Sequence, residues 1–167
     1  GQEDLQRIKL NAKDVLVGIA ASGRTPYVIG GLRYGQKVGC TTVALSCNVG
    51  AAIAREAQIA ILPEVGPEVL TGSTRMKAGT AQKITLNTFS SAVMVGLHKV
   101  HGNLMVDLRA TNIKLRQRAL LLTMRASGAK EEAARRMLEG CGYRVKVAIV
   151  ALKLGCDANA AEALLAG

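Results

Sequence analysis

The chain has 167 residues, 49% of them hydrophobic, enough for a sizeable core and too many for a disordered or low-complexity class. Only 2% are aromatic (Tyr27, Tyr34, Phe89 and Tyr143, with no Trp), which counts against a groove of stacked rings for carbohydrate or single-stranded nucleic acid. With 22 Lys and Arg against 12 Asp and Glu the net charge is +10, a balance that admits nucleic acid or phosphate-bearing metabolites.

Residues 1–12 are polar, with a weak apolar pattern at Leu5, Ile8 and Leu10. The run Val15 to Ala20 reads as a buried parallel strand. It ends in Ser22-Gly23-Arg24-Thr25-Pro26, and Pro26 suits the first turn of a helix running to Val38 and stopping at Gly39. A second strand is expected over Thr41 to Cys47, with Asn48 capping a short helix from Ala51 to Ala57. Gln58 to Leu62 forms a third strand. Strand and helix alternating at this spacing predict an α/β fold with a parallel sheet.

Residues 63–74 are a loop, and the breaker-poor segment from Arg75 to about His101 predicts one long, largely buried helix. Leu104, Met105 and Val106 lie in a loop or short strand before a helix that starts near Thr111 or Asn112. After Ser127-Gly128-Ala129, three short helices over 130–139, 144–154 and from Asp157 onward predict a small bundle that leans on a larger body.

Cys40, Cys47, Cys141 and Cys156 make no CxxC pair, and His98 and His101 lack a third ligand at helical spacing, so no metal site is expected. His98 is expected to pack or hydrogen-bond near a helix end and His101 to sit in the following turn. Cys40 and Cys47 read as buried thiols of a reducing compartment. No signal peptide opens the sequence, and its apolar runs fall short of the roughly 20 residues of a membrane span. A cytoplasmic location without membrane contact is expected. The cations Lys114, Arg116, Arg118, Arg125, Arg135 and Arg136 follow no nucleic-acid motif and read as a solvated face, so no nucleic-acid partner is expected.

Two loops suit an anionic ligand. Ser22, Gly23 and Thr25 sit between a parallel strand and a helix, where open α/β sheets bind ligands and helix N–H groups meet phosphate. Thr71-Gly72-Ser73-Thr74 opens the long helix, with Arg75 and Lys77 close by; helix capping is the plainer alternative. Glu64 and Glu68 are carboxylates that could orient a sugar hydroxyl or take a proton.

The stretch Gly66-Pro67-Glu68-Val69-Leu70-Thr71-Gly72-Ser73-Thr74-Arg75-Met76-Lys77-Ala78-Gly79-Thr80-Ala81-Gln82-Lys83 resembles the signature of bacterial N-acetylmuramic acid 6-phosphate etherases. Gly18 to Tyr27 resembles their second sugar-phosphate loop, and Gly102 to Asp107 with Thr111-Asn112 is also similar. The resemblance implies a sugar-isomerase (SIS) type doubly wound parallel sheet over 1–124, incomplete at its N-terminal side. It also implies a three-helix, ubiquitin-associated-like (UBA-like) domain over 125–167. It further implies a homodimer, no cofactor, and cleavage of a sugar-phosphate lactyl ether to D-lactate in cell-wall sugar recycling. The family's two catalytic glutamates belong to segments upstream of the matched loops, so no catalytic residue is expected in this chain and the isolated chain is expected to be inactive. Ser22, Gly23, Thr25, Glu68, Ser73, Thr74 and Lys77 are the implied substrate-binding residues. His101 departs from the family's Tyr, and Arg33 and Lys37 replace neutral or acidic surface residues. The alternative is a non-catalytic sugar-phosphate sensor like the related glucokinase regulators.

Overall fold

The β-branched run Val15–Ile19 forms β1, the first strand of a parallel sheet. The structure is a computed structural model that describes residues 1–166. A short helix, α1 (Gln2–Arg7), precedes β1 where the sequence shows only a weak apolar pattern; Glu3 and Asp4 in its first turn and Arg7 in its last complement the helix dipole. After β1 come helix α2 (Pro26–Val38), strand β2 (Thr41–Leu45), a 3-10 helix (Ala52–Glu56) and strand β3 (Ile59–Ile61). Pro26 opens α2, and Gly39, in the left-handed conformation, closes it, its N–H donating to Gln36 O while the Cys40 N–H donates to Gly35 O.

Both strand pairs are parallel. Val15 stands opposite Thr41 and Ile19 opposite Leu45, while Val43 stands opposite Ile59. The order is β1-β2-β3 and does not reverse among the described residues. Each connection therefore has to cross over the sheet, and α2 and the 3-10 helix are those crossovers. A Cβ on Gly18 would stand 2.8 Å from Val28 Cγ1 and 2.9 Å from Leu32, so the missing side chain lets α2 lie close on β1. Ala20, Leu32, Ala44, Ala51 and Ile53 fill the core between them.

The chain divides into two units, Gly1–Phe89 and Ser90–Gly167. Helix α3 (Lys77–Gly96) begins in the first. Its position is as expected, but its burial is not. Ala78 is its sole buried residue, while Ile84 is 61% exposed and Phe89 45%. Apolar spacing shows which side of a helix avoids water, but a covering element has to exist elsewhere in the fold. His98, expected to pack, is exposed with φ 54° just past the helix end.

In the second unit a hairpin of β4 (Val100–His101) and β5 (Leu104–Met105) replaces the expected turn at His101, whose Nε2 lies 3.2 Å from Lys153 Nζ. Four helices follow: α4 (Ile113–Ser127), α5 (Glu131–Gly140), α6 (Val145–Leu154) and α7 (Ala158–Ala166). The Asn112 side chain accepts the Leu115 N–H at 2.8 Å and starts α4, and Gly128 in the left-handed region ends it. Helix α6 buries Val145, Val147, Ala148, Ile149 and Ala151, the pattern of a helix surrounded by others. Ala119 and Leu120 of α4, Ala134 and Leu138 of α5, and Ala161 of α7 complete that core. The α/β sheet and the C-terminal helical bundle are those expected from the sequence, and α4 shares the core of the bundle.

Candidate functional site

The carboxyl ends of β1, β2 and β3 bring three segments to one edge of the sheet. The first is Ala20 to Thr25. Gly23 has φ 68°, and a Cβ there would overlap the Ala51 methyl and stand 2.8 Å from Ser46 Oγ. The Gly23 N–H turns back to Ala20 O at 2.9 Å, and Gly23 O accepts the Ile53 N–H at 3.0 Å. The loop is thus tied from both sides. Among the described residues, the N–H groups of Ser22, Arg24 and Thr25 donate to no backbone acceptor. Thr25 is the N-cap of α2, yet its hydroxyl makes no capping bond, and no acidic residue stands in the first turn. The positive end of α2 is therefore open, with hydroxyl and N–H donors of one loop unused.

The second segment follows β2. Buried Ser46 donates through Oγ to Ala21 O at 3.1 Å and accepts the Asn48 N–H at 3.2 Å. Asn48 Nδ2 donates to Ser22 O at 3.4 Å. Ser46 and Asn48 thereby hold the first loop from the neighbouring strand. Neither was a candidate from sequence; their signal is position, a Ser-Cys-Asn run at the carboxyl end of a parallel strand.

The third segment is the loop after β3 and the start of α3. Glu68 accepts the Lys77 N–H on Oε2 and the Ala78 N–H on Oε1, both at 3.0 Å. The hydrogen bonds from Ala78 and then Lys77 hold its carboxyl below the usual glutamate range. Both Glu68 oxygens are thus engaged by the start of α3. The positive end of α3, the second anion candidate, is already filled by this carboxylate. Cys47 Sγ meets Ala78 O at 3.6 Å, and burial followed by the Glu68 charge pushes its thiol up, so it stays protonated and unreactive.

A cleft of about 460 Å³ lies along this edge, lined by Cys47, Asn48, Val49, Glu64, Val65 and Gly66. Ser73 donates its N–H to Leu70 O at 3.0 Å, while Thr74 and the Lys77 side chain are exposed. Ser22, Gly23 and Thr25 are joined to this edge through Asn48, and Glu68 with the Lys77 backbone through Cys47 and Ala78; no hydrogen bond joins Ser73 or Thr74 to the first loop.

No family model matches the chain. It is 56% identical over 166 residues to an N-acetylmuramic acid 6-phosphate etherase from Cronobacter sakazakii, covering 99% of this chain and 56% of that protein. The chain is a homologue of the N-acetylmuramic acid 6-phosphate etherases. An etherase from Salmonella paratyphi B is 55% identical over the same span. The chain spans about half the length of these curated etherases. A Bacillus subtilis structure named as a candidate phosphosugar isomerase aligns with 84% of this chain and 38% of its own. Its identity is 18% and its TM-score 0.37, too low to carry an argument. Among the described residues no helix is long and apolar enough to cross a membrane, and no three His, Cys, Asp or Glu side chains gather as metal ligands.

Glu68 makes acid stability a test of the site. Its folded pKa lies below the ordinary glutamate value, so its contribution is fully present above the unfolded pKa and is lost as pH falls through the folded value. Glu68→Gln lowers the urea midpoint at pH 7 and flattens the loss of stability below about pH 4.5. An unchanged acid limb in the variant would show that this cap does not form.

Proposed function

We propose that this chain forms the phosphate-gripping portion of an enzyme that cleaves the D-lactyl ether of N-acetylmuramic acid 6-phosphate. The products would be N-acetylglucosamine 6-phosphate and D-lactate. High identity to etherases supports the reaction class. One observation supports the placement of the phosphate: of the two candidate helix starts, α2 is open and α3 is filled by Glu68. Ser22 and Thr25 would bond the phosphate oxygens, Gly23 would let the backbone approach, and Lys77 would add positive charge. Ser73, Thr74 and the free lone pairs of Glu68 would face the sugar from the other loop.

Elimination moves a proton from C2 to a base while an acid protonates the departing lactate oxygen, and water then adds across the double bond. Glu68 is committed to the α3 backbone, so we place the acid–base pair outside these residues. On this reading the sheet-bearing part belongs to the sugar-phosphate domain, and the C-terminal helices, whose core α4 shares, form a UBA-like appendage. The assembly is a cytoplasmic homodimer.

Ser22→Ala and Thr25→Ala each weaken N-acetylglucosamine 6-phosphate binding about tenfold, since a hydrogen bond to a charged group contributes about 1.5–3 kcal/mol. Titration calorimetry reads this, with Ser73→Ala as the comparison. A larger loss at Ser73 than at Ser22 would move the phosphate to the other loop. Sustained D-lactate release by the 167-residue chain would place the acid–base pair within it and overturn the division proposed.

A further inference from the structure

The second unit carries a cationic, apolar-floored groove that the sugar-phosphate reading does not use. From Leu108 to Lys130 the sequence has six cations (Arg109, Lys114, Arg116, Arg118, Arg125 and Lys130) and no acidic residue. Within α4, Lys114, Arg118, Leu121 and Arg125 recur at three and four residues and are exposed, which places three like charges on one stripe. Among the described residues none of Lys114, Arg116, Arg118 or Arg125 has a salt-bridge partner, whereas Arg135 and Arg136 of α5 are paired with Glu131 and Glu132. Like charges at such spacing oppose helix formation, and cations in the first turn of α4 oppose its dipole. The fold carries this cost without an internal counter-charge.

Beside the stripe lies a groove of about 410 Å³ between α4 and α5. Ile113, Arg116, Gln117 and Leu120, one face of α4, form one wall. Arg135, Leu138 and Tyr143 form the other. Ile113 is 87% exposed, an aliphatic side chain at the mouth of the groove with nothing over it. The Arg116 guanidinium stacks over the Tyr143 ring at 5.0 Å from its centre, which holds that charge in place without neutralising it.

We propose that this groove docks an acidic amphipathic segment of a protein partner, its apolar side chains on Ile113, Leu120 and Tyr143 and its carboxylates on Arg116 and the Lys114–Arg118–Arg125 stripe. Charge complementarity selects an anionic occupant. The apolar floor selects peptide over nucleic acid, because a phosphate backbone gains nothing from Ile113 and Leu120. A fixed, unpaired arginine beside an aliphatic pocket is the composition from which interface anchors are made.

A fluorescein-labelled peptide with glutamates on one helical face and leucines on the other tests this by anisotropy with the whole chain. A lysine-for-glutamate peptide and a random-sequence DNA duplex at the same salt are compared with it. The expected result is binding of the acidic peptide alone, with amide resonance shifts confined to Ile113–Leu120 and Arg135–Tyr143. Arg116→Gln and Ile113→Ser each weaken it about tenfold. Ile113 is nearly fully exposed, so Ile113→Ser keeps the fold, which circular dichroism checks. Absence of acidic-peptide binding, or equal binding by wild type and Ile113→Ser, overturns the proposal. So does tighter binding of DNA that Arg116→Gln weakens and Ile113→Ser does not.

Discussion

Gly23→Ala unfolds at lower urea than the wild type and loses the sugar-phosphate binding proposed for its loop. Gly23 has φ 68°, where an L side chain costs about 1–2 kcal/mol. Its added methyl would overlap that of Ala51 and stand 2.9 Å from the Ala51 Cα, a backbone atom no rotamer can move away. Overpacking of this kind costs about 1–3 kcal/mol, so the sum is about 2–5 kcal/mol. Relief by moving the loop would break the Ile53 N–H to Gly23 O bond and the Asn48 bond to Ser22 O, and with them the alignment of the free N–H groups. Gly30→Ala in α2 is the control: nothing lies within 4 Å of its Cβ, and helix propensity favours it by about 0.5–1 kcal/mol. If the two variants have the same urea midpoint, the close approach at Gly23 is not real.

Leu138→Ala has the largest effect expected in the second unit. Leu138 of α5 is fully buried among Ala134, Cys141, Val145 and Leu120. Truncation removes three carbons from a packed core and leaves a cavity, at about 2–5 kcal/mol. A helical core of this size holds only about 3–5 kcal/mol in reserve, so the substitution takes most of it. Hydrogen exchange resolves the outcome: amides of α4 to α7 lose protection together, and the groove beside Leu138 loses its wall. Leu154→Ala, at an exposed position of α6, changes stability by no more than about 0.5 kcal/mol. Retained protection in Leu138→Ala would mean that α5 is dispensable to the core.

Most elements were legible because each carries its own punctuation. Pro26 and Gly39 bracket α2, Asn112 and Gly128 bracket α4, and Gly155 ends α6. The runs of β1 and β2 are short and bounded by loops, so both were legible as parallel strands, but only β2 is buried as expected; in β1 Gly18 alone is buried, and Val15 and Ile19 are exposed. The hairpin of β4 and β5 was not legible, since strands of two residues are made by their mutual pairing and not by any pattern within them. Helix α3 was legible as a helix but not as an exposed one, because Ile84, Phe89 and Val93 have the same spacing whether or not another element covers them.

By itself the sequence determined the α/β class, the helical C-terminal part, the two hydroxyl-rich loops and the likeness to etherases. Those properties live in local spacing and in long runs of identity, and neither needs a third dimension. Tertiary structure alone decided which loop is free to hold an anion. Glu68 reaches the start of α3 from nine residues upstream and takes the Lys77 and Ala78 N–H groups that this helix start would otherwise offer to a ligand. Ser46 and Asn48, more than twenty residues away, hold the Ser22 loop from the next strand and leave its donors unused. A hydrogen-bond donor serves a ligand only when nothing in the protein has already taken it, and that depends on residues brought together by the fold.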